Sequence, residues 1–304
     1  MGIDTHGARF LAYATALGVS YLSTVTIGRQ SWFCDVAQLR RATEAFSSRL
    51  RGPISNALFE TPYADEYFRA LGAERVDSVD YSSFEGASIV HDMNEPMLLS
   101  AEYSCVFDGG SSEHIFNVAQ CTMNLMHLVA PGGHLLSVVP ANDQTGHGFY
   151  QFSPEFFFRT YTEANGFRVK CVLIHVAGLR TSWNMITDPR VLGRRVQLAT
   201  RGEANLYVVA QRISAARSPF VTPQQSDYAR RWNEPTEMSL DASKLPSARA
   251  PTTRGEQMRQ HVARTLPRRV AELAVRARRW KGTLSGAAGV RRIDLAAEHR
   301  SEQQ

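Results

Sequence analysis

The feature that most narrows what this chain can fold into is the alternation of β-rich apolar runs with stretches of helical spacing. Seven runs carry strand character: YLSTVTIG, RVDSVD, ASIVHD, SCVFD, HLLSVVPA, FRVKCVLIHV and NLYVVAQRI. Between most of them lie segments with apolar residues three or four apart: SWFCDVAQLRRATEAFSSRL, PYADEYFRALG, HIFNVAQCTMNLMHLV and SPEFFFRTYTEANG. Pro62 stands near the start of the second and Gly72 at its end, PGG stops the third, and Ser-Pro-Glu opens the fourth. Such alternation predicts an α/β fold with a seven-stranded, mostly parallel sheet covered by helices on both faces. Only the polar segment from Gly178 to Gly202 separates the last two strands, so these are expected to pair antiparallel at one edge.

Composition bounds the setting. With 304 residues, 43% apolar and 21% charged, the chain can bury one sizeable core and carry an appendage. Cys34, Cys105, Cys121 and Cys171 lie far apart with no CxxC and no histidine at zinc spacing. They read as buried free thiols in a reducing, cytoplasmic compartment, and no metal site is expected. No run of about 18 apolar residues is present to cross a membrane. FLAYATALGVSYL reads as a helix leading into the first strand rather than a signal peptide, and His6 stands where a myristoylation motif needs Ser or Thr.

The formal charge of +5 is unevenly placed. From Leu245 onward there are 13 Arg and Lys against 5 Asp and Glu, leaving 21 against 24 before it, so the body is mildly acidic and the basicity is a tail. Three parts follow: a domain over 1–213, a Pro/Ser-rich linker over 214–254, and a basic, partly helical or disordered tail over 255–304. In the tail, TLPRRVAELAVRARRWKG places Val270, Leu273, Ala274, Ala277 and Trp280 on one helical face with arginines around it. That helix suits an anionic membrane surface or an acidic partner, or is a solvated tail; no nucleic-acid motif accompanies it.

In an open parallel sheet, ligands bind outside the carboxyl ends of the strands. The first strand ends at Gly28, and the next three end at or beside Asp80, Asp92 and Asp108. Aspartate is a poor strand former, so each either caps a turn or serves a site, and three at equivalent places favour a site.

The order VTIGRQ, VDSVDYSSFEGASIVHDMNEP, YSCVFDGGSSEHIFN and APGGHLLSVVPAND resembles the class I S-adenosylmethionine-dependent methyltransferases, over roughly Tyr21 to Ile213. The resemblance implies a Rossmann-like domain with S-adenosylmethionine as cofactor. It implies that Asp80 holds the ribose hydroxyls, that Asp92 with Met93 meets the adenine, and that Asp108, Gly109 and Gly110 line the methionine end and the methyl group. In the first loop, Thr26 stands where the family has an acid, and Arg29, Gln30 and Ser31 replace glycines after Gly28. Gly28 and Gln30 are then the expected contacts of a rewritten loop.

Methyl transfer needs alignment and, for an oxygen acceptor, a place for a proton. His114, with Glu113 beside it, and His147, between two glycines ahead of Phe149, Tyr150 and Phe152, are the candidate catalytic groups. Each also has a plain structural reading, as a helix start and a packed loop. His91 and His175 read as structural. No GxSxG elbow, Walker loop, HExxH or dinucleotide glycine motif is present, which disfavours hydrolase and kinase chemistry. Two expectations result: a methyltransferase acting on a small-molecule or glycan acceptor, first at oxygen, or a catalytically inactive relative that binds partners through its tail.

Overall fold

The computed structural model describes residues 2–98, 103–177, 183–196, 198, 200, 202–214, 220–233 and 289–297. Its strands are β1 (Gly2–Ile3), β2 (Ser23–Ile27), β3 (Ser31–Trp32), β4 (Arg75–Asp80), β5 (Ile89–Val90), β6 (Tyr103–Asp108), β7 (Val129–Asn142), β8 (Phe167–Val176), β9 (Trp183–Ile186), β10 (Ala204–Arg212) and β11 (Val290–Ile293). The α-helices are α1 (Thr5–Ala16), α2 (Val36–Thr43), α3 (Asp65–Ala70), α4 (Val118–Leu128), α5 (Pro154–Thr160), α6 (Pro189–Leu192) and α7 (Ser226–Asn233).

Nine strands form one sheet in the order β11-β9-β8-β10-β7-β6-β2-β4-β5, and β1 pairs with β3 in a separate two-stranded sheet. The block β5-β4-β2-β6-β7 is parallel, whereas every pairing from β7 through β10, β8 and β9 to β11 is antiparallel. The expected α/β architecture with helices on both faces is therefore present.

Burial alternates along the strands as a two-sided sheet requires. Cys105, Phe107, Leu136, Cys171, Leu173, Tyr207 and Val209 face one core, which also takes Phe10 and Leu11 of α1, Leu39 of α2 and Phe68 of α3. Val106, Leu135, Val172, Ile174, Leu206 and Val208 face the other, with Cys121 and Leu125 of α4 and Phe157 of α5. Side chains cap the helix starts: Asp4 accepts from the Gly7 amide, Asp35 and Gln38 form a capping box, and Ser153 precedes Pro154 at the first turn of α5.

Three expectations are corrected. The sheet has nine strands rather than seven. The segment read as a polar connection holds β9 and α6, so β8 and β10 pair antiparallel as expected but lie inside the sheet. Trp183 supplies the reason, because it is buried against the rings of His175 at 5.1 Å and Tyr207 at 4.7 Å. Finally, Val290–Ile293, read as tail, is an edge strand on β9 whose Ile293 and following Leu295 are buried. Its two exposed arginines conceal the strand in sequence, as charge on edge strands commonly does. Within the stretch read as linker, Ser226–Asn233 is helical. The basic amphipathic segment around Val270 to Trp280 lies outside the described residues. Among the described residues no helix is long and apolar enough to cross a membrane.

Candidate active site

Register brings the strand ends level. Ile27 is paired with Val79 on one side and Asp108 on the other, Asp80 is paired with Val90, and Asp108 with Ser137. The chain runs from β2 outward to β4 on one side and returns to β6 on the other, so β2 and β6 flank the topological switch point. A cavity of about 310 Å³ opens there, within the range of small-ligand clefts. Its lining includes Gly28, Asp80, Asp92, Met93, Ser111 and His114.

Each wall has a local cause. Gly28 leaves β2 at φ +66°, in the left-handed region, and its amide donates to the Val79 carbonyl at 2.7 Å. The only hydrogen bond found at the Asp80 carboxylate among the described residues is a long one from the Ser82 amide, 3.4 Å, so this lining residue keeps most of its acceptor capacity unused. Asp92 accepts from the Asn94 amide and side chain at 2.9 and 2.8 Å, and these bonds hold its carboxyl below the usual carboxylate range. Asn94 in turn accepts from the Asn117 amide at 2.9 Å, tying this wall to the start of α4.

Asn124, fully buried in α4, fixes the same wall from behind. Its side chain donates to the carbonyls of Met93 and Glu95 at 3.2 and 2.8 Å and accepts from the Met97 amide at 3.0 Å. Sequence reasoning missed Asn94, Asn124 and Ser111. An asparagine amid the apolar run of α4 was the available signal, since a buried amide there needs partners.

Asp108 and Gly109 stand one layer behind the cavity. Asp108 is buried and accepts from the Ser111 amide at 2.9 Å and from the amide and hydroxyl of Ser112, so it shapes the turn into Glu113 and His114. Gly109 packs under Gln30, whose Oε1 would lie 2.3 Å from a Cβ at that position. Gln30 is buried too, and its amide nitrogen donates to the Ile27 and Gly28 carbonyls at 3.0 Å each. It braces the loop from within instead of lining the cavity. Arg29 turns away to Asp65 and the Tyr63 ring. Thr26, where the acid was missing, is buried in β2.

The three expected catalytic residues come together at His114, which alone of them lines the cavity. Glu113 is 1% exposed, and its Oε1 stands 3.5 Å from His147 Nε2. The His114 and His147 ring centroids are 5.1 Å apart. The loop carrying His147 is pinned by the Phe149 amide on the Glu113 carbonyl at 2.8 Å and by the Tyr150 hydroxyl on the Phe116 carbonyl at 2.7 Å. Burial, and next the nearby Asp108, push the Glu113 carboxyl up to about 8, while burial followed by His147 lowers the His114 imidazole. Asp108 is raised as well, chiefly by burial. Two acids buried this close resist carrying charge together. His91 also lines the cavity, whereas His175 is a core residue whose ring is tilted against that of His6, centroids 3.9 Å apart.

No family model matches the chain, and no curated protein matches it. Solved structures of similar shape include a geranyl diphosphate methyltransferase in complex with SAM, at 11% identity and TM-score 0.39, covering 69% of this chain and 85% of that one. Another is the 1,6-didemethyltoxoflavin-N1-methyltransferase of Burkholderia thailandensis, at 15% identity and TM-score 0.35, covering 68% and 79%. A third is the N-methyltransferase NodS of Bradyrhizobium japonicum WM9, at 11% identity and TM-score 0.35, covering 70% and 100%.

Proposed function

We propose that the chain is a class I S-adenosylmethionine-dependent methyltransferase acting at an oxygen of a small-molecule or glycan acceptor. The observation that carries this reading is one cavity at the switch point, on which Gly28, Asp80, Asp92, Met93 and His114 converge, with Glu113 and His147 beside them. The residues suit the cofactor. Asp80 offers a carboxylate with free acceptor capacity to a ribose diol, Met93 an apolar face to adenine, and the aspartates a negative field to a sulfonium. S-adenosylmethionine would supply the activated methyl group.

What the protein contributes is positioning and proton handling. Asp80 and the Asp92–Asn94 turn would hold the nucleoside, and Gly28 would let the β2 loop approach it closely. The Glu113, His114 and His147 cluster would receive the acceptor and bring its hydroxyl oxygen to the cavity without its proton.

A second reading, an inactive relative that binds partners through its basic tail, is favoured by Gln30, whose side chain fills the loop where the family has glycine. Isothermal titration with S-adenosylmethionine and S-adenosylhomocysteine separates the two. The methyltransferase reading expects micromolar binding of both. Absence of binding by the folded protein would leave the inactive relative as the better account.

A further inference from the structure

The convergence of Glu113, His114 and His147 has a geometry that hydrogen bonding does not explain. The 3.5 Å between Glu113 Oε1 and His147 Nε2 is long for a hydrogen bond, and Glu113 Oε2, though buried, has no partner among the described residues. One side-chain ligand atom from each of the three residues lies within 4.8 Å of the other two. Bonds of about 2.1 Å to nitrogen and carboxylate oxygen, opened at a tetrahedral angle, place two ligands of one ion about 3.4 Å apart. The Glu113 to His147 separation already has that value. The other two pairs lie within 4.8 Å, and both imidazoles are exposed.

We propose that Glu113, His114 and His147 bind one divalent transition-metal ion of the zinc type. Two imidazoles and one carboxylate are the donors such ions take, whereas magnesium and calcium prefer all-oxygen sets. Three protein ligands leave a coordination position open. Gly148 is what lets the third ligand arrive. It adopts φ +131°, and a Cβ there would stand 2.9 Å from the Glu113 carbonyl and 3.1 Å from His114 Nδ1.

The inference deepens the proposed function and rests on it in one respect, that this cluster is the acceptor end. With an acceptor hydroxyl on the open position, the cation makes that hydroxyl more acidic. Its proton leaves to water, the oxygen lone pair forms the new bond to the methyl carbon, and the carbon–sulfur pair stays on sulfur.

The test is titration of the full-length, chelator-treated protein with zinc chloride alone by calorimetry, with cobalt(II) absorption as a second probe of ligand geometry. The expected result is one equivalent of zinc, with binding at least tenfold weaker in Glu113→Gln and in His147→Ala. His147 is 53% exposed, so its replacement leaves the fold intact and keeps the test decisive if Glu113→Gln misfolds. No one-to-one isotherm, or one that His147→Ala leaves unchanged, overturns the site. S-adenosylhomocysteine titrated into the same preparations reads the cofactor cavity separately. Failure of zinc with that ligand still bound therefore overturns the metal site and not the methyltransferase reading.

Discussion

Asp80 offers the sharpest perturbation of the proposed cofactor site. It ends β4 level with Val90, lines the cavity, and gives the protein itself little beyond the 3.4 Å contact from the Ser82 amide. Replacing it should therefore leave stability nearly untouched while removing a charged acceptor for two ribose hydroxyls. Hydrogen bonds to a charged group contribute about 1.5 to 3 kcal/mol, so Asp80→Ala should weaken S-adenosylhomocysteine by roughly 10- to 150-fold. Asp80→Asn, which keeps one acceptor oxygen and loses the charge, should fall between parent and alanine variant. The assay is calorimetric titration at fixed salt, with thermal melts of all three proteins alongside. Equal affinities in parent and Asp80→Ala, with melting temperatures unchanged, would refute the placement of the ribose. A large fall in melting temperature would instead show that Asp80 is a structural turn residue.

Three further expectations concern the supports of the site. Asn124→Leu strands the Met97 amide and the Met93 and Glu95 carbonyls. It should cost on the order of 2 to 4 kcal/mol in denaturant melts and weaken S-adenosylhomocysteine as well, since Met93 lines the cavity. Gly109→Ala drives a methyl to 2.3 Å from Gln30 Oε1 and 2.7 Å from Phe107 and should destabilise by about 1 to 3 kcal/mol; an unchanged melt would show that this layer is not tightly packed. His134, buried in β7 and lowered to about 4 by desolvation, is neutral in the folded protein, while the unfolded chain takes up a proton near the ordinary histidine value. Stability should therefore fall as pH drops from about 6.5 toward 4, by up to about 3 kcal/mol, and His134→Gln should flatten that slope in urea melts.

How much of this was legible in the sequence depends on whether a residue's role is local or set by its neighbours in space. Gly28, Asp80 and Asp92 were readable because strand periodicity places a strand's end within a few residues, and the parallel register then aligns those ends without further information. The pairing of Glu113 with His147 was not readable. It depends on a loop 34 residues downstream being pinned by the Phe149 amide and on Gly148 tolerating a backbone few residues can adopt. β9 and β11 escaped notice for a related reason: WNMI and VRRI have too little alternation to register alone and become strands only because Trp183 and Ile293 fill the core beyond β8.

Gln30 shows the same limit from the other side. Its position in the first loop suggested a cofactor contact, yet a buried amide must find donors and acceptors, and the nearest carbonyls are those of Ile27 and Gly28. With its nitrogen committed there and Gly109 leaving room beneath, its Oε1 remains without a partner among the described residues. An unpaired buried oxygen beside Gly109 costs stability unless a ligand or an ordered water donates to it. Gln30→Leu therefore separates two roles for this loop. If Gln30 is only a brace, the variant melts lower and binds S-adenosylhomocysteine as the parent does; if its oxygen receives the cofactor's amino group, affinity falls by more than the melt predicts.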